Sequence, residues 1–209
     1  MGYSAQVMNW GRLARVYDLQ LWLEGPSLGA ALELAAVEEG ERLLDVGTGT
    51  GAVLRELARR EPRPGEAVGV DVSGKMLARV PDLPPGWRLE RADARRLPFP
   101  DASFEVATVA YLLHLLDAES LSGVLSEIRR VLVPGGRLVT VTPVVPRSRL
   151  GPLAGALARA GAALLPFLLA GLRPYDPRAD LAAAGFHVRR AEYVARGYRS
   201  LCAVAAKPS

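Results

Sequence analysis

Leu43-Leu44-Asp45-Val46-Gly47-Thr48-Gly49-Thr50-Gly51 decides how this chain folds. Arg42 to Val46 reads as a strand, interrupted in its apolar run only by Asp45, and it feeds a turn with glycine at every second position. Ala52 to Arg60 then reads as a helix. Glycine reaches positive φ without steric cost and lets a ligand come close to the backbone. The first turn of the helix beyond offers N–H groups that have no partner inside the helix. A strand, a glycine turn and a helix in that order open a crossover unit of an α/β sheet. Asp45 then stands at the C-terminal edge of its strand, the side on which such sheets bind ligands.

The turn alone fits two ligands. Gly47, Gly49 and Ala52 satisfy the G-x-G-x-x-G/A fingerprint of dinucleotide sites, and Asp71 follows 24 residues after Gly47. Asp45 tips the balance the other way. A carboxylate directly before the turn repels a pyrophosphate but suits a ligand that carries an ammonium group. A nicotinamide enzyme would also need a catalytic Tyr/Lys or Cys/His set with a substrate domain, and neither is evident.

On either side of this turn, strand and helix signals alternate. Strands are expected at 42–46, 67–71, 87–91, 104–110 and 137–143, and helices at 52–60, 75–80 and 119–132. Such alternation predicts a mainly parallel sheet with right-handed connections. Upstream, Trp10, Leu13, Val16 and Tyr17, then Leu28, Leu32, Ala35 and Ala36 fall at helical spacing. Gly25-Pro26 interrupts them, which predicts two helices ahead of the main fold. Downstream, a helix at 178–184 precedes two strand-like runs, 186–195 and 200–206, whose short connection favours an antiparallel hairpin.

The bulk numbers bound the rest. The 209 residues suit one domain; 50% are hydrophobic and 23% charged, which is ordinary for a globular protein. The net charge is +4, and of the 26 basic residues only Lys75 and Lys207 are lysines. The arginines are scattered rather than gathered into a tract, so a nucleic-acid partner is not expected. Cys202 stands alone, which excludes an intrachain disulfide, and its apolar neighbours mark it as a buried strand residue. The N-terminus lacks the basic-then-apolar pattern of a signal peptide. No uncharged apolar run reaches the roughly 18–20 residues needed to span a bilayer. The expected location is cytoplasmic.

The segment from Asp45 to Gly51 resembles motif I of the class I S-adenosylmethionine-dependent methyltransferases, D/E-x-G-x-G-x-G, at every defined position. Further stretches resemble the same family at its spacing. Asp71-Val72-Ser73-Gly74-Lys75-Met76-Leu77 is similar to its D-x-S-x-x-M-L run. Ala92-Asp93-Ala94, Leu97-Pro98-Phe99 and Asp101-Ala102-Ser103-Phe104-Glu105 are similar to its "gDa-x-x-LPF-x-D-x-SFD" run, with Glu105 in place of the usual Asp. Leu132-Val133-Pro134-Gly135-Gly136-Arg137-Leu138 is similar to its L-x-P-G-G-x-L turn. The likeness covers residues 40–142, and Tyr17-Asp18 matches the "YD" of the group related to ubiquinone/menaquinone-biosynthesis enzymes, whose N-terminal helices cover the cofactor.

The resemblance implies a doubly wound Rossmann-like sheet of seven strands, order 3-2-1-4-5-7-6, with the last strand antiparallel and helices on both faces. It divides the chain into an N-terminal helical lid, residues 1–40, and a methyltransferase domain, residues 41–209, with an apolar insertion at about 144–175. It implies S-adenosylmethionine as cofactor, no metal, and a small-molecule acceptor. Cofactor contacts are carried over to Asp45, Gly47, Thr48, Gly49 and Gly51. They extend to Asp71 for the ribose hydroxyls, to Val72 and Met76 beside the adenine, and to Asp93 and Ala94 at its edge. Ala110 and Tyr17 complete the set. His114 matches the histidine of the family's "l-x-H" run after the fourth strand. It and Tyr111 are candidates for the catalytic side, where His114 either takes a proton or packs among its leucines. The N-P-P-Y motif of amino-group methylation is absent, since Ala110-Tyr111-Leu112-Leu113 stands there. RNA or protein methylation and a non-catalytic cofactor-binding module are the rival readings.

The insertion is the most individual feature. Ala160 to Leu172 carries no charge and is too short to cross a membrane. An apolar surface of that length has to cover something. Leu164, Phe167 and Leu168 are expected to line the acceptor pocket. The alternatives are a homodimer contact, a transient membrane-surface contact or a buried helix.

Overall fold

The computed structural model describes residues 14–144 and 174–209, with side chains from Leu23 onward in the first of these stretches. The described elements are α1 (Ala14–Ala35), β1 (Arg42–Val46), α2 (Ala52–Leu57), β2 (Glu66–Asp71), α3 (Gly74–Leu77), β3 (Arg88–Arg91) and β4 (Phe104–Ala110). They continue with a 3₁₀ turn (Leu113–Leu115), α4 (Ala118–Val131), β5 (Leu132–Pro143), α5 (Arg178–Ala183), β6 (His187–Val194) and β7 (Ser200–Ala206). The seven strands form one sheet in the order β3-β2-β1-β4-β5-β7-β6. β1 to β5 pair in parallel, and β7 runs antiparallel to both β5 and β6. This is the order the family resemblance implies, with the terminal hairpin expected from the short connection at one edge.

The sheet is buried on both faces at its centre, which is why β1 and β4 read as nearly continuous apolar runs rather than as alternating ones. On one face Leu44, Val46, Ala107 and Val109 pack against Leu121, Val124, Leu125 and Ile128 of α4 and Leu181 of α5. The α4 residues recur at the three- and four-residue spacing of an amphipathic helix. Asp117 caps that helix by accepting the Ser120 N–H at 2.8 Å, and Arg129 and Arg130 sit in its last turn. On the other face Leu43, Val106, Val139 and Cys202 pack against Leu28, Ala31, Leu32 and Ala35 of α1 and Val53, Leu54 and Leu57 of α2.

Three side chains fasten the frame. Glu105, the residue that departs from the resemblance, accepts the Arg42 backbone N–H at 2.8 Å and its guanidinium at 2.6 Å, tying β4 to β1. Arg137 holds Glu41 at 2.6 Å while donating to the Ala35 and Ala36 carbonyls at the end of α1. Such carbonyls have no partner inside the helix. Arg130 pins the Leu97-Pro98-Phe99 stretch through the carbonyls of Leu97 and Phe99.

Two expectations are corrected. The break expected at Gly25-Pro26 does not divide the N-terminal segment, because α1 runs through Pro26. A proline there lacks an N–H and crowds the carbonyl four residues back. Nearby polar groups of α1 are served from elsewhere: the Leu23 carbonyl accepts the Tyr198 N–H at 2.7 Å, and Ser27 Oγ donates to the Tyr198 carbonyl at 3.0 Å. The turn of the terminal hairpin thus docks on this part of the helix. Likewise, β5 begins at Leu132 rather than 137. Leu132 pairs with Phe104 and Arg137 with Val106, so Pro134-Gly135-Gly136 is absorbed as an irregularity within the strand. The Gly135 N–H and Gly136 carbonyl bond to Lys207.

Candidate functional site

The C-terminal ends of β1, β2 and β4 lie side by side, and the glycine turn crosses them. The N–H groups of Gly47 and Thr48 both donate to the Val70 carbonyl at 2.9 Å, which folds the turn over β2. Gly47 and Gly51 have φ of 72° and 78°. The space a Cβ would need is already taken, by Leu112 at 2.9 Å for Gly47 and by Val80 at 2.7 Å for Gly51. These two positions require glycine on both counts.

Asp45 is 1% exposed. Its partners follow from register: in the sheet it stands between Thr108 on β4 and Gly69 on β2. The Thr108 hydroxyl donates to its Oδ1 at 2.7 Å. Oδ2 is buried with no hydrogen-bond partner among the described residues, as are the hydroxyls of Thr48 and Thr50. Burial pushes the Asp45 carboxyl up to about 6; the nearby Thr48 hydroxyl, which makes no hydrogen bond of good geometry to it, and the Thr108 hydrogen bond pull the other way, and the Asp71 charge adds to the rise. A buried carboxylate oxygen without a donor is costly. It is the feature an ammonium group would satisfy.

Asp71 ends β2. Its Oδ2 accepts the Gly49 N–H at 3.0 Å and its Oδ1 the Ser73 N–H at 2.8 Å. Burial raises its pKa, opposed by those two backbone bonds. Each oxygen keeps a second acceptor site, as two vicinal hydroxyls require. Beside it Val72 is 40% exposed, an apolar face at the site's edge, and Met76 is buried.

Asp93 differs. Arg95 forks onto it, with Nη2 at 2.6 Å from Oδ2 and Nε at 3.0 Å from Oδ1, and the Arg95 N–H adds a bond of 2.9 Å. That fork holds the carboxyl below its usual range. The acceptor capacity assigned to adenine is largely spent on a neighbour two residues away. Ala94 is half-buried and packs against the α4-side core.

At the end of β4, Ala110 is half-buried and Tyr111 packs against the α1-side core. The Tyr111 hydroxyl lies 2.8 Å from Ser200 Oγ, and its ring meets Tyr198 edge-on at 5.5 Å. His114 is 4% exposed in the 3₁₀ turn that follows. The structure therefore gathers Asp45, Gly47, Thr48, Gly49, Gly51 and Asp71 around one turn, with Val72 and Met76 beside it. Leu164, Phe167, Leu168 and the side chain of Tyr17 lie outside the described residues. Sequence reasoning missed Thr108, Leu112 and Ser200. Only the pairing of Asp45 with Thr108 could have exposed the first, and no local signal marks the other two.

Residues 43–136 match the family described as "Methyltransferase domain". A demethylmenaquinone methyltransferase of Thermus thermophilus is 34% identical over 180 residues, which cover 76% of this chain and 80% of that protein. The chain belongs to the class I S-adenosylmethionine-dependent methyltransferases. A ubiquinone/menaquinone biosynthesis C-methyltransferase of Geobacter sulfurreducens is 44% identical over 118 residues, but the match spans only 45% of its length and 54% of this chain. Among solved structures, an S-adenosylmethionine-dependent methyltransferase from Aquifex aeolicus superposes with a TM-score of 0.62 at 21% identity, covering 88% of this chain and 92% of that one. That likeness shows the shared fold.

The methyltransferase family's cofactor is S-adenosylmethionine, and the residues present fit it: an orphaned buried carboxylate oxygen, a glycine turn with no room for side chains, and a second carboxylate at the neighbouring strand end. Among the described residues no group of His, Cys, Asp and Glu could hold a metal ion, and no helix is long and apolar enough to cross a membrane.

Proposed function

We propose that this protein transfers a methyl group from S-adenosylmethionine to a small, apolar or amphipathic acceptor. The observation that carries the proposal is the Asp45 Oδ2 atom, buried without a donor at the end of β1 beside the glycine turn. There Asp45 would receive the cofactor's ammonium group, Asp71 its ribose hydroxyls, and Val72, Met76 and Ala94 its adenine. The bound cofactor supplies a methyl group already activated by its sulfonium. What remains for the chain is alignment of the acceptor, which can supply most of the acceleration. We assign that task to the ends of β4 and β5, with Tyr111 as a wall and His114 as the candidate to take a proton.

The names of the Thermus and Geobacter relatives make demethylmenaquinone-type molecules the first acceptors to try. An acceptor of that kind agrees with the uncharged stretch from Ala160 to Leu172, whose Leu164, Phe167 and Leu168 we assign to the acceptor pocket. We place the reaction in the cytoplasm, with the same stretch touching a membrane surface when it collects an apolar substrate. A second copy of the chain is the competing occupant of that surface.

Calorimetry tests the cofactor half: S-adenosylhomocysteine should bind at micromolar affinity and NAD should not. Transfer of labelled methyl to a demethylmenaquinone analogue tests the acceptor half. Phe167→Asp should abolish that transfer and leave S-adenosylhomocysteine affinity within about twofold. Equal loss of both would remove Phe167 from the acceptor side. Binding of NAD in preference to S-adenosylhomocysteine would overturn the whole reading.

A further inference from the structure

Tyr111, the first residue after β4, has a left-handed backbone with φ of 54°. A bulky L-residue is held in that region only when its surroundings over-determine it. Its N–H still closes the ladder onto the Val141 carbonyl at 2.8 Å. The turn then sends two consecutive side chains to opposite faces of the sheet. Leu112 joins the α4-side core and fills the space against Gly47, 2.9 Å from where a Cβ would stand. Tyr111 joins the α1-side core.

What holds Tyr111 there is a buried relay. Ser200 Oγ donates to the Tyr198 carbonyl at 2.8 Å, which leaves the Tyr111 hydroxyl to donate to Ser200 Oγ at 2.8 Å. The Tyr198 carbonyl also takes the Ser27 hydroxyl at 3.0 Å, and the Tyr198 N–H is fixed on Leu23. Ser27 and Ser200 are fully buried. The relay joins α1, the terminal hairpin and the end of β4.

We propose that Ser200, acting through Tyr111, is a positioning residue for the cofactor loop: their hydrogen bond holds the left-handed turn at Tyr111 and thereby keeps Leu112 seated against Gly47. Tyr111 then has a task other than proton transfer. Burial raises its phenol above the ordinary range, so it stays a neutral donor. Loss of either hydroxyl frees the strained turn to relax, and Leu112 and the Gly47 backbone lose their fixed relation. The inference rests on the reading that this loop receives S-adenosylmethionine.

The test is S-adenosylhomocysteine affinity by calorimetry, with thermal melts as the control for folding. Tyr111→Phe and Ser200→Ala should each weaken binding five- to tenfold, and the double variant should lose no more than the worse single one. Ser200→Thr, which keeps the hydroxyl, should bind within twofold of the unaltered chain. Leu112→Ala should weaken binding as well, and adding Tyr111→Phe to it should cost nothing further. That pair decides the matter if Ser200→Ala fails to fold. Less than a threefold loss in Tyr111→Phe, or additive losses in the double variants, would overturn the proposal while leaving the site reading intact. Failure of the unaltered chain to bind would instead overturn that reading and the proposal with it.

Discussion

Replacing Asp45 with asparagine should make the ligand-free protein relatively more stable as the pH rises. The folded protein raises this carboxyl from an ordinary 3.8 to about 6. Between those values the native state binds more protons than the unfolded chain, so this group's contribution to stability falls as pH rises. Two units at about 1.4 kcal/mol each make its burden roughly 3 kcal/mol at pH 7 and nearly nothing at pH 4. Asparagine keeps an acceptor for the Thr108 hydroxyl but leaves an amide donor where Oδ2 had no partner. That stranded group costs about 1–3 kcal/mol at every pH. The net gain at neutral pH is therefore small, about 1 kcal/mol, whereas the change in the difference between pH 4 and pH 7.5 is the full ~3 kcal/mol, since asparagine does not titrate. Urea unfolding of both proteins at several pH values measures it. The same substitution should abolish measurable S-adenosylhomocysteine binding at pH 7.5. A stability difference that is flat across this range would refute the assignment of an uncompensated charge to Asp45.

Other outcomes follow from the same geometry. Asp71→Ala should weaken S-adenosylhomocysteine binding by roughly 10- to 150-fold, the loss of a charge-assisted contact of about 1.5–3 kcal/mol. Asp93→Ala should cost less than fivefold, because Arg95 already occupies that carboxylate; calorimetry of the two variants ranks them. Gly51→Ala should destabilise the fold by about 2–4 kcal/mol, combining left-handed strain with the clash on Val80, and part of the loss should return in Gly51→Ala/Val80→Ala. Arg137→Ala should lower stability by ~2 kcal/mol in urea unfolding, since it strands the Ala35 and Ala36 carbonyls and releases Glu41.

The glycine turn could be read from the sequence because everything it needs is local: an apolar strand before it, glycines inside it, a helix after it. The strands and the final hairpin were legible for the same reason, from local alternation and a short connection, with family likeness supplying the sheet order. What escaped depends on distant partners. Pro26 reads as a helix break on any local rule, yet α1 continues through it, with Leu23 and Ser27 bonded to Tyr198, whose chain position is 171 residues beyond Ser27. Thr108 becomes a partner of Asp45 only once β1 and β4 are in register. Ser200 lies 89 residues from Tyr111. Asp93 is the opposite case. Arg95 stands two residues away in the sequence, and the likeness to a family motif drew attention to the aspartate rather than to its neighbour.

The three carboxylates at this end of the sheet are held in three different states of satisfaction, and the difference orders their roles. Asp93 is saturated by a guanidinium and has its proton affinity lowered. It can add little to a ligand without giving something up. Asp71 has one backbone donor on each oxygen, which fixes its orientation and leaves acceptor capacity for a neutral diol. Asp45 has one oxygen bonded and the other buried bare, and its charge is the least comfortable of the three. A site arranged this way responds most strongly to a cation placed at Asp45, because a positive group there removes a penalty the folded chain otherwise carries. A phosphate in the same place would deepen that penalty. On the proposed function, discrimination between an ammonium-bearing nucleoside and a dinucleotide would thus be set by the burial of one oxygen atom at the end of β1, before any contact to the adenine is made.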